Sequence, residues 1–271
     1  MIKGRSPFPF ETIAVAVSFS TGLDAVIAEA KRICYLHGAL AVFIHAGKKT
    51  SDKHRRLGNV LSDNGFHDGN SRIYWEQAGD AASLLQVCRH EVVDLLLAGC
   101  SDKENFQLPT GRFATELATR AKCSVLLFCN QTPNGSFENI HVNLSDHLKT
   151  EYSISTGLYL AEKEKSAQLV LVDDVNDSGD GLVQVENTQS QRKLSSPLRT
   201  ALEHTSVNVM FQNSGGLSPN DFAFRNKADL LILNSADHHL RIFDRIFSDS
   251  MEKALLNPSC HLLIVHSRLQ D

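Results

Sequence analysis

The run Glu91-Val-Val-Asp-Leu-Leu-Leu-Ala-Gly99, the polar stretch 100–110, and then Gly111-Arg-Phe-Ala-Thr-Glu-Leu-Ala-Thr-Arg-Ala-Lys-Cys-Ser-Val-Leu-Leu-Phe128 decide the fold. An apolar strand, a glycine, a polar loop, a second glycine, a helix and a second apolar strand follow one another. Strands that are apolar on nearly every residue are buried on both faces, as in a parallel sheet covered by helices. In such sheets ligands sit beyond the carboxyl ends of the strands, beside the point where strand order reverses. The loop between Gly99 and Gly111 is therefore the first place to look for a site.

The alternation extends both ways. Residues 13–17 form a β-branched strand, and Leu23, Val26, Ile27, Ala30, Ile33 and Cys34 share one face of a helix that Gly38 closes. Strands follow at 39–45 and 72–76, with a helix around 55–61 in the polar stretch between them. Gly79-Asp80 opens a helix through Leu84, Leu85 and Cys88. Strand four is placed at 92–98, a helix at 111–120 and strand five at 124–129. The turn-rich segment 130–138 closes this half.

The pattern then restarts, with strands at 140–144, 167–172, 207–212, 230–233 and 261–265. Its helices run through Leu158, Leu160 and Ala161, across 198–203 and across 249–256. The segment 173–191 reads as loop, and 213–226 has room for one brief helix. Cys123 matches Cys260 at the separation that matches Gly111 to Ser248, while Ser18 matches Ser145 at a slightly smaller one. The chain thus reads as a duplicated α/β unit, with domains at 10–130 and 138–268. Each is a doubly wound, five-stranded parallel sheet with helices on both faces.

The 271 residues are 42% apolar and 21% charged with a net charge of −4, which does not point to nucleic acid as a partner. No apolar run reaches the roughly 18 residues of a membrane span. The basic N-terminus lacks the apolar core of a secretory signal. None of the six cysteines forms a Cys-x-x-Cys pair, and most sit in apolar contexts. That is the usage of a reducing compartment, and a cytoplasmic location is expected.

Taken together, 13–17, Trp75-Glu-Gln-Ala-Gly-Asp-Ala81, Asp94-Leu-Leu-Leu-Ala-Gly99 and Cys123-Ser-Val-Leu-Leu127 resemble a universal stress protein domain. So do 140–144, Ala228-Asp-Leu-Leu-Ile-Leu233 and Pro258-Ser-Cys-His-Leu-Leu-Ile-Val265, which makes the whole resemble a tandem member of that family. The resemblance implies a Rossmann-like fold and pairing through the last strand of each domain. Here 124–129 and 261–265 would supply that pairing as a pseudo-dimer within one chain, and two such chains could pair again as a homodimer.

One branch of the family binds ATP through Gly-x-x-Gly, nine residues, then Gly with Ser or Thr, and an Asp after the first strand. The glycines admit phosphates to backbone amides at a helix N-terminus. Here Gly99 and Gly111 match the first and third glycines. Asp102 stands at the second, the loop is one residue short, Arg112 replaces the hydroxyl residue, and Ser18 stands where the Asp belongs. Ser18, Phe19, Gly99, Asp102, Gly111, Arg112 and Phe113 make up the candidate nucleotide pocket of the first domain.

In the second domain Ser235, His238 and Ser248 replace the glycines, and Ser145 replaces the Asp. Asp249 would repel phosphate, and Ile242, Phe243, Ile246 and Phe247 form an apolar stripe where the loop would be. Nucleotide binding there is read as lost. The resemblance then implies a non-enzymatic stress-response or regulatory protein that binds a protein partner or small molecule, with no cofactor. The alternative is an ATP or AMP switch confined to the first domain. An enzyme of the wider adenine-nucleotide-binding class would lack identifiable catalytic groups.

Gly47-Lys-Lys-Thr50 follows a strand but lacks the earlier glycine of a phosphate loop, since Val42 stands there. It reads as a solvated turn whose cations could meet an anionic ligand. The run 174–180 approaches a calcium loop, yet Val185 occupies the position of the bidentate Glu and Glu186 falls one residue late. The histidines, including the adjacent pair His238-His239, show no ligand spacing, so no metal site is expected. His45 reads as a strand-end residue satisfied by a neighbouring carbonyl, and Trp75 as half-buried core.

Overall fold

The computed structural model describes residues 9–99, 116–118, 120–129, 135–144, 150–173, 194–234 and 258–266. The chain divides into two compact units, Met1–Gly135 with His261–Asp271, and Ser136–Cys260.

In the first unit the order is β1 (Thr12–Ala16), α1 (Leu23–His37), β2 (Leu40–Ala46), α2 (Ser51–Asp63), β3 (Ser71–Glu76), α3 (Ala81–His90), β4 (Leu95–Gly99) and β5 (Ser124–Phe128). Residues 116–118 and 120 are helical, inside the helix expected before β5. The sheet order β3-β2-β1-β4-β5 is parallel throughout, and it reverses direction at β1/β4.

The second unit runs β6 (Asn139–Asn143), α4 (Thr150–Glu164), β7 (Gln168–Asp173), α5 (Ser196–His204), β8 (Asn208–Asn213), α6 (Pro219–Arg225) and β9 (Leu230–Asn234). Its parallel order β9-β6-β7-β8 repeats that of the first. The last strand, β10 (His261–Val265), pairs antiparallel with β5, Leu263 opposite Leu126, and is counted with the first unit. The sequence reading numbers this strand as the fifth of the second half.

Side-chain alternation shows why helices cover both faces. On β6, Val142 faces Gly157 of α4, where a Cβ would lie 2.7 Å from Val142 Cγ2. Its neighbour His141 points the other way, with its ring 5.8 Å from that of Phe222 on α6. Phe222 packs there with Val170 and Val172 of β7.

The duplication extends to small devices. Asp94 Oδ2 accepts from the amides of Glu11 and Thr12 at 2.8 and 2.9 Å, tying β4 to β1. Asp229 Oδ2 accepts from Glu138 and Asn139 at 3.0 and 2.8 Å, tying β9 to β6. A residue at φ 53° precedes each Asp, Val92 in one unit and Lys227 in the other. Gly38 ends α1 in the left-handed conformation, and Lys165 follows α4 in the same conformation at φ 54°.

Three boundaries differ from the sequence reading. β4 starts at Leu95 because Val92 is in a left-handed turn and Asp94 is the clamp, although Val92-Val93 looks like strand. α2 is longer than 55–61 because Thr50 caps it, Oγ1 accepting from the Lys53 amide at 3.3 Å, while only Leu57 and Leu61 supply buried apolar positions. The space in 213–226 holds α6, which Ser218 caps.

Candidate functional site

Strand order reverses between β1 and β4, so their carboxyl ends frame the place where such a sheet takes a ligand. Ser18, which follows β1, is exposed; Phe19 is half-buried; Gly99 ends β4. A Cβ on Gly99 would come within 2.9 Å of Val26 Cγ2 on α1, so the glycine lets the helix sit close to the strand end. Asp102, Gly111, Arg112 and Phe113 lie outside the described residues. So do the stripe at 242–247, the run 174–180, and His238, His239, Ser235, Ser248, Asp249 and Ser145.

Next to this junction the carboxyl ends of β1, β2 and β3 carry an aromatic cluster. Phe19 meets His45 edge-on at 4.8 Å and stacks with Trp75 at 6.1 Å, and His45 meets Trp75 edge-on at 5.3 Å. His45 Nδ1 lies 2.9 Å from the carbonyl of Val17, which makes it the protonated nitrogen and leaves the lone pair on Nε2. Lys53 Nζ, 3.2 Å away, donates to that lone pair. Burial holds the His45 pKa below its ordinary value; the Val17 hydrogen bond opposes this and the Lys53 charge adds to it. A Cβ on Gly47 would lie 2.9 Å from His45 Nε2, so the glycine keeps that approach open.

Cations ring the cluster. Lys53 Nζ stands 5.4 Å from the Phe19 ring and Lys49 Nζ 5.8 Å from the Trp75 ring. Arg56 donates to the carbonyls of Phe19 and Ser20 at 3.5 and 3.4 Å, holding α2 against the β1 turn. His54 adds a ring 6.0 Å from Trp75. This edge therefore offers flat apolar surface beside positive charge, a combination that attracts anions with a planar part.

As the sequence suggests, His45 is bonded to a neighbouring carbonyl and Trp75 is half-buried; Phe19, expected in the nucleotide pocket, packs against them. The sequence reading had not joined them, because their contacts cross three strands. Lys53 and Arg56 were missed. Thr50 followed three residues later by Lys53 was the available cap signal. Among the described residues no group of three or more His, Cys, Asp or Glu is placed to hold a metal. No described helix is long and apolar enough to cross a membrane.

No family model matches the sequence, and no curated protein does. Solved structures do match the fold. A universal stress protein from Archaeoglobus fulgidus DSM 4304 superposes with a TM-score of 0.69 at 11% identity, covering 96% of this chain and all of that one (100%). A protein of unknown function from Pseudomonas aeruginosa PAO1 gives 0.65 at 12% identity, over 96% and 94% of the two chains. A protein provisionally assigned to the same family, from Pseudomonas aeruginosa UCBPP-PA14, gives 0.66 at 11%, over 97% and 96%. The chain has the Rossmann-like α/β fold of the universal stress proteins, matched over nearly its whole length.

Proposed function

We propose that this is a non-catalytic regulatory protein of the universal-stress-protein type, acting by binding a small anionic ligand at the carboxyl edge of its first unit. The observation that carries this reading is the aromatic cluster of Phe19, His45 and Trp75 fringed by Lys49, Lys53 and Arg56. A general base needs a free lone pair, and that of His45 is taken by Lys53, which argues for binding rather than turnover. A second reading, an ATP or AMP switch centred on the loop after β4, is favoured by one observation. Gly99, the residue that matches the first glycine of the nucleotide motif, ends β4 at the reversal point.

Trp75 is the only tryptophan, so its fluorescence reports on this edge alone. Titration with ATP, AMP and inorganic phosphate is expected to change that emission saturably, and Lys53→Ala to weaken the response. A ligand at 100 times its Kd should raise stability by about 2.7 kcal/mol. If Gly111→Asp abolishes the response while Lys53→Ala leaves it, the second reading replaces the first. No saturable change at millimolar ligand would remove both, and phosphate release above a matched blank would overturn the non-catalytic assignment.

A further inference from the structure

The imidazole in the middle of the aromatic edge has a protonation state that an incoming anion can change. His45 is 7% exposed, with Nδ1 2.9 Å from the Val17 carbonyl and Nε2 3.2 Å from Lys53 Nζ. Neutral His45 spends its one lone pair on Lys53. As an imidazolium it has no lone pair, and both ring nitrogens donate. Nδ1 keeps its bond to Val17 in either state. Nε2 cannot keep Lys53, so protonation exchanges an acceptor held by a cation for a donor that an anion can take.

The surroundings decide which state prevails. β1 sets the Val17 carbonyl against the ring, and the turn after β1 brings Phe19. β3 brings Trp75, with Lys49 beside it, and α2 brings Lys53 together with His54 and Arg56. The carboxylates closest in sequence do not offset these cations. Asp52 is exposed and paired with Arg55 at 2.9 Å, and Glu76 follows Trp75 and so projects from the other face of β3. Among the described residues, His45 thus faces rings and cations, and Lys53 is the charge that bears on it. An anion on Lys53 reverses this balance, because it offsets the lysine and brings negative charge near Nε2. Gly47 leaves room for it, since a Cβ there would lie 2.9 Å from that nitrogen.

Taking this edge as the anion site proposed above, we propose that His45 is a latent second donor to the ligand, recruited by taking up one proton from solvent as the anion binds. The proton goes to Nε2, Lys53 turns from the ring to the anion, and the anion is held between Nζ–H and Nε2–H. Binding and protonation then favour each other by the same factor. The pKa of His45 is higher in the complex than in the free protein. Above the higher value affinity is independent of pH. As pH falls between the two, affinity rises by up to about tenfold per pH unit, and below the lower value it levels off. An anion held by Lys53 alone would show no such slope near neutral pH.

The test uses the full chain, with benzenesulfonate and sulfate as probes because neither titrates near neutral pH. Titration calorimetry at mildly acidic pH, in buffers of different ionisation enthalpy, counts the protons taken up. The expected result is uptake of up to one proton per bound anion, with affinity about tenfold tighter near pH 5.5 than near pH 8. His45→Gln should abolish the uptake and flatten the pH profile, whereas His54→Gln should retain the uptake whatever it does to affinity. Nuclear magnetic resonance of the unsubstituted chain gives a second reading. The imidazole with Overhauser contacts to both the Phe19 and Trp75 rings should titrate at higher pH with benzenesulfonate than without, so the result stands whether or not His45→Gln folds. Saturable binding without proton uptake, or uptake that survives His45→Gln, overturns the role of His45 and leaves the anion site standing. No saturable binding of either probe, nor of ATP, AMP or phosphate, removes the site and this role with it.

Discussion

The two units carry the same strand order and opposite chemistry at the same edge. In the first, β2 and β3 end with His45 opposite Trp75, fringed by Lys49, Lys53 and Arg56. In the second, β7 and β8 end at the matching register with Asp173 opposite Asn213. An aromatic edge with cations stands in one unit, and an acid–amide edge takes its place in the other. Strand order fixes where a site can form, while a few terminal side chains decide what it attracts. The duplication preserved what closes the sheet, namely the Asp clamps, the left-handed turns and the helices on both faces. It did not preserve the side chains at the carboxyl ends of the strands next to the reversal point.

The comparison is broken most severely by removing the clamps. Asp94→Ala frees two backbone amides beside a buried carboxylate site and is expected to cost about 3 kcal/mol. Asp229→Ala, at a half-exposed residue, should cost about 2 kcal/mol. Urea denaturation of each variant checks whether the two units are held alike; equal losses below about 0.5 kcal/mol would mean that the clamps are incidental.

Next comes the helix seat. Gly157→Ala should cost about 2 kcal/mol by overpacking Val142, Leu169 and Ile232. Ala30 holds the equivalent place in α1, and Ala30→Gly should cost only about 1 kcal/mol through helix propensity. Thermal melts of the pair test whether α4 sits closer to its sheet than α1 does.

The third contrast is between buried histidines. In the first unit His261 accepts from the Cys129 amide at 3.1 Å and stacks on Phe128 at 4.6 Å. In the second, both ring nitrogens of His141 are buried with no hydrogen-bond partner. Burial pushes the pKa of each down to about 4 from an ordinary 6.5, with the Arg32 charge adding to the effect at His261. Between those values the unfolded chain binds protons that the folded chain does not. Stability is therefore full above pH 6.5 and falls toward pH 4, by about 1.4 kcal/mol per pH unit for each histidine. His141→Leu should remove one histidine's share of that slope and also stabilise at neutral pH, since it deletes two unpartnered polar atoms. Urea melts at pH 7 and pH 5 read both effects.

The smallest effect is at the helix ends. Lys165→Gly should add about 1 kcal/mol, because glycine carries no Cβ penalty in the left-handed region, and Gly38→Ala should cost about as much.

Most of the fold was legible because the strands are apolar on nearly every residue and the glycine or acid that bounds a helix is visible in the sequence. Polar α2 was only partly legible, since Leu57 and Leu61 alone face the core and the cap at Thr50 has to be inferred. Left-handed Val92 hid the start of β4, because a β-branched residue is the last expected in that conformation. The site was legible as a location and not as a constellation. Phe19, His45, Lys53 and Trp75 come from four separate elements or turns, and no local spacing announces them.

The antiparallel pairing of β10 with β5 sets a schedule for synthesis. Strand β5 is made early, and its partner emerges only after the entire second unit. At about 5–20 residues per second, the apolar edge Ser-Val-Leu-Leu-Phe waits on the order of ten seconds on the ribosome before it is covered. The first unit to be translated is thus the last to be finished. Its exposure to chaperones and to mispairing is governed by the translation rate through residues that belong to its neighbour.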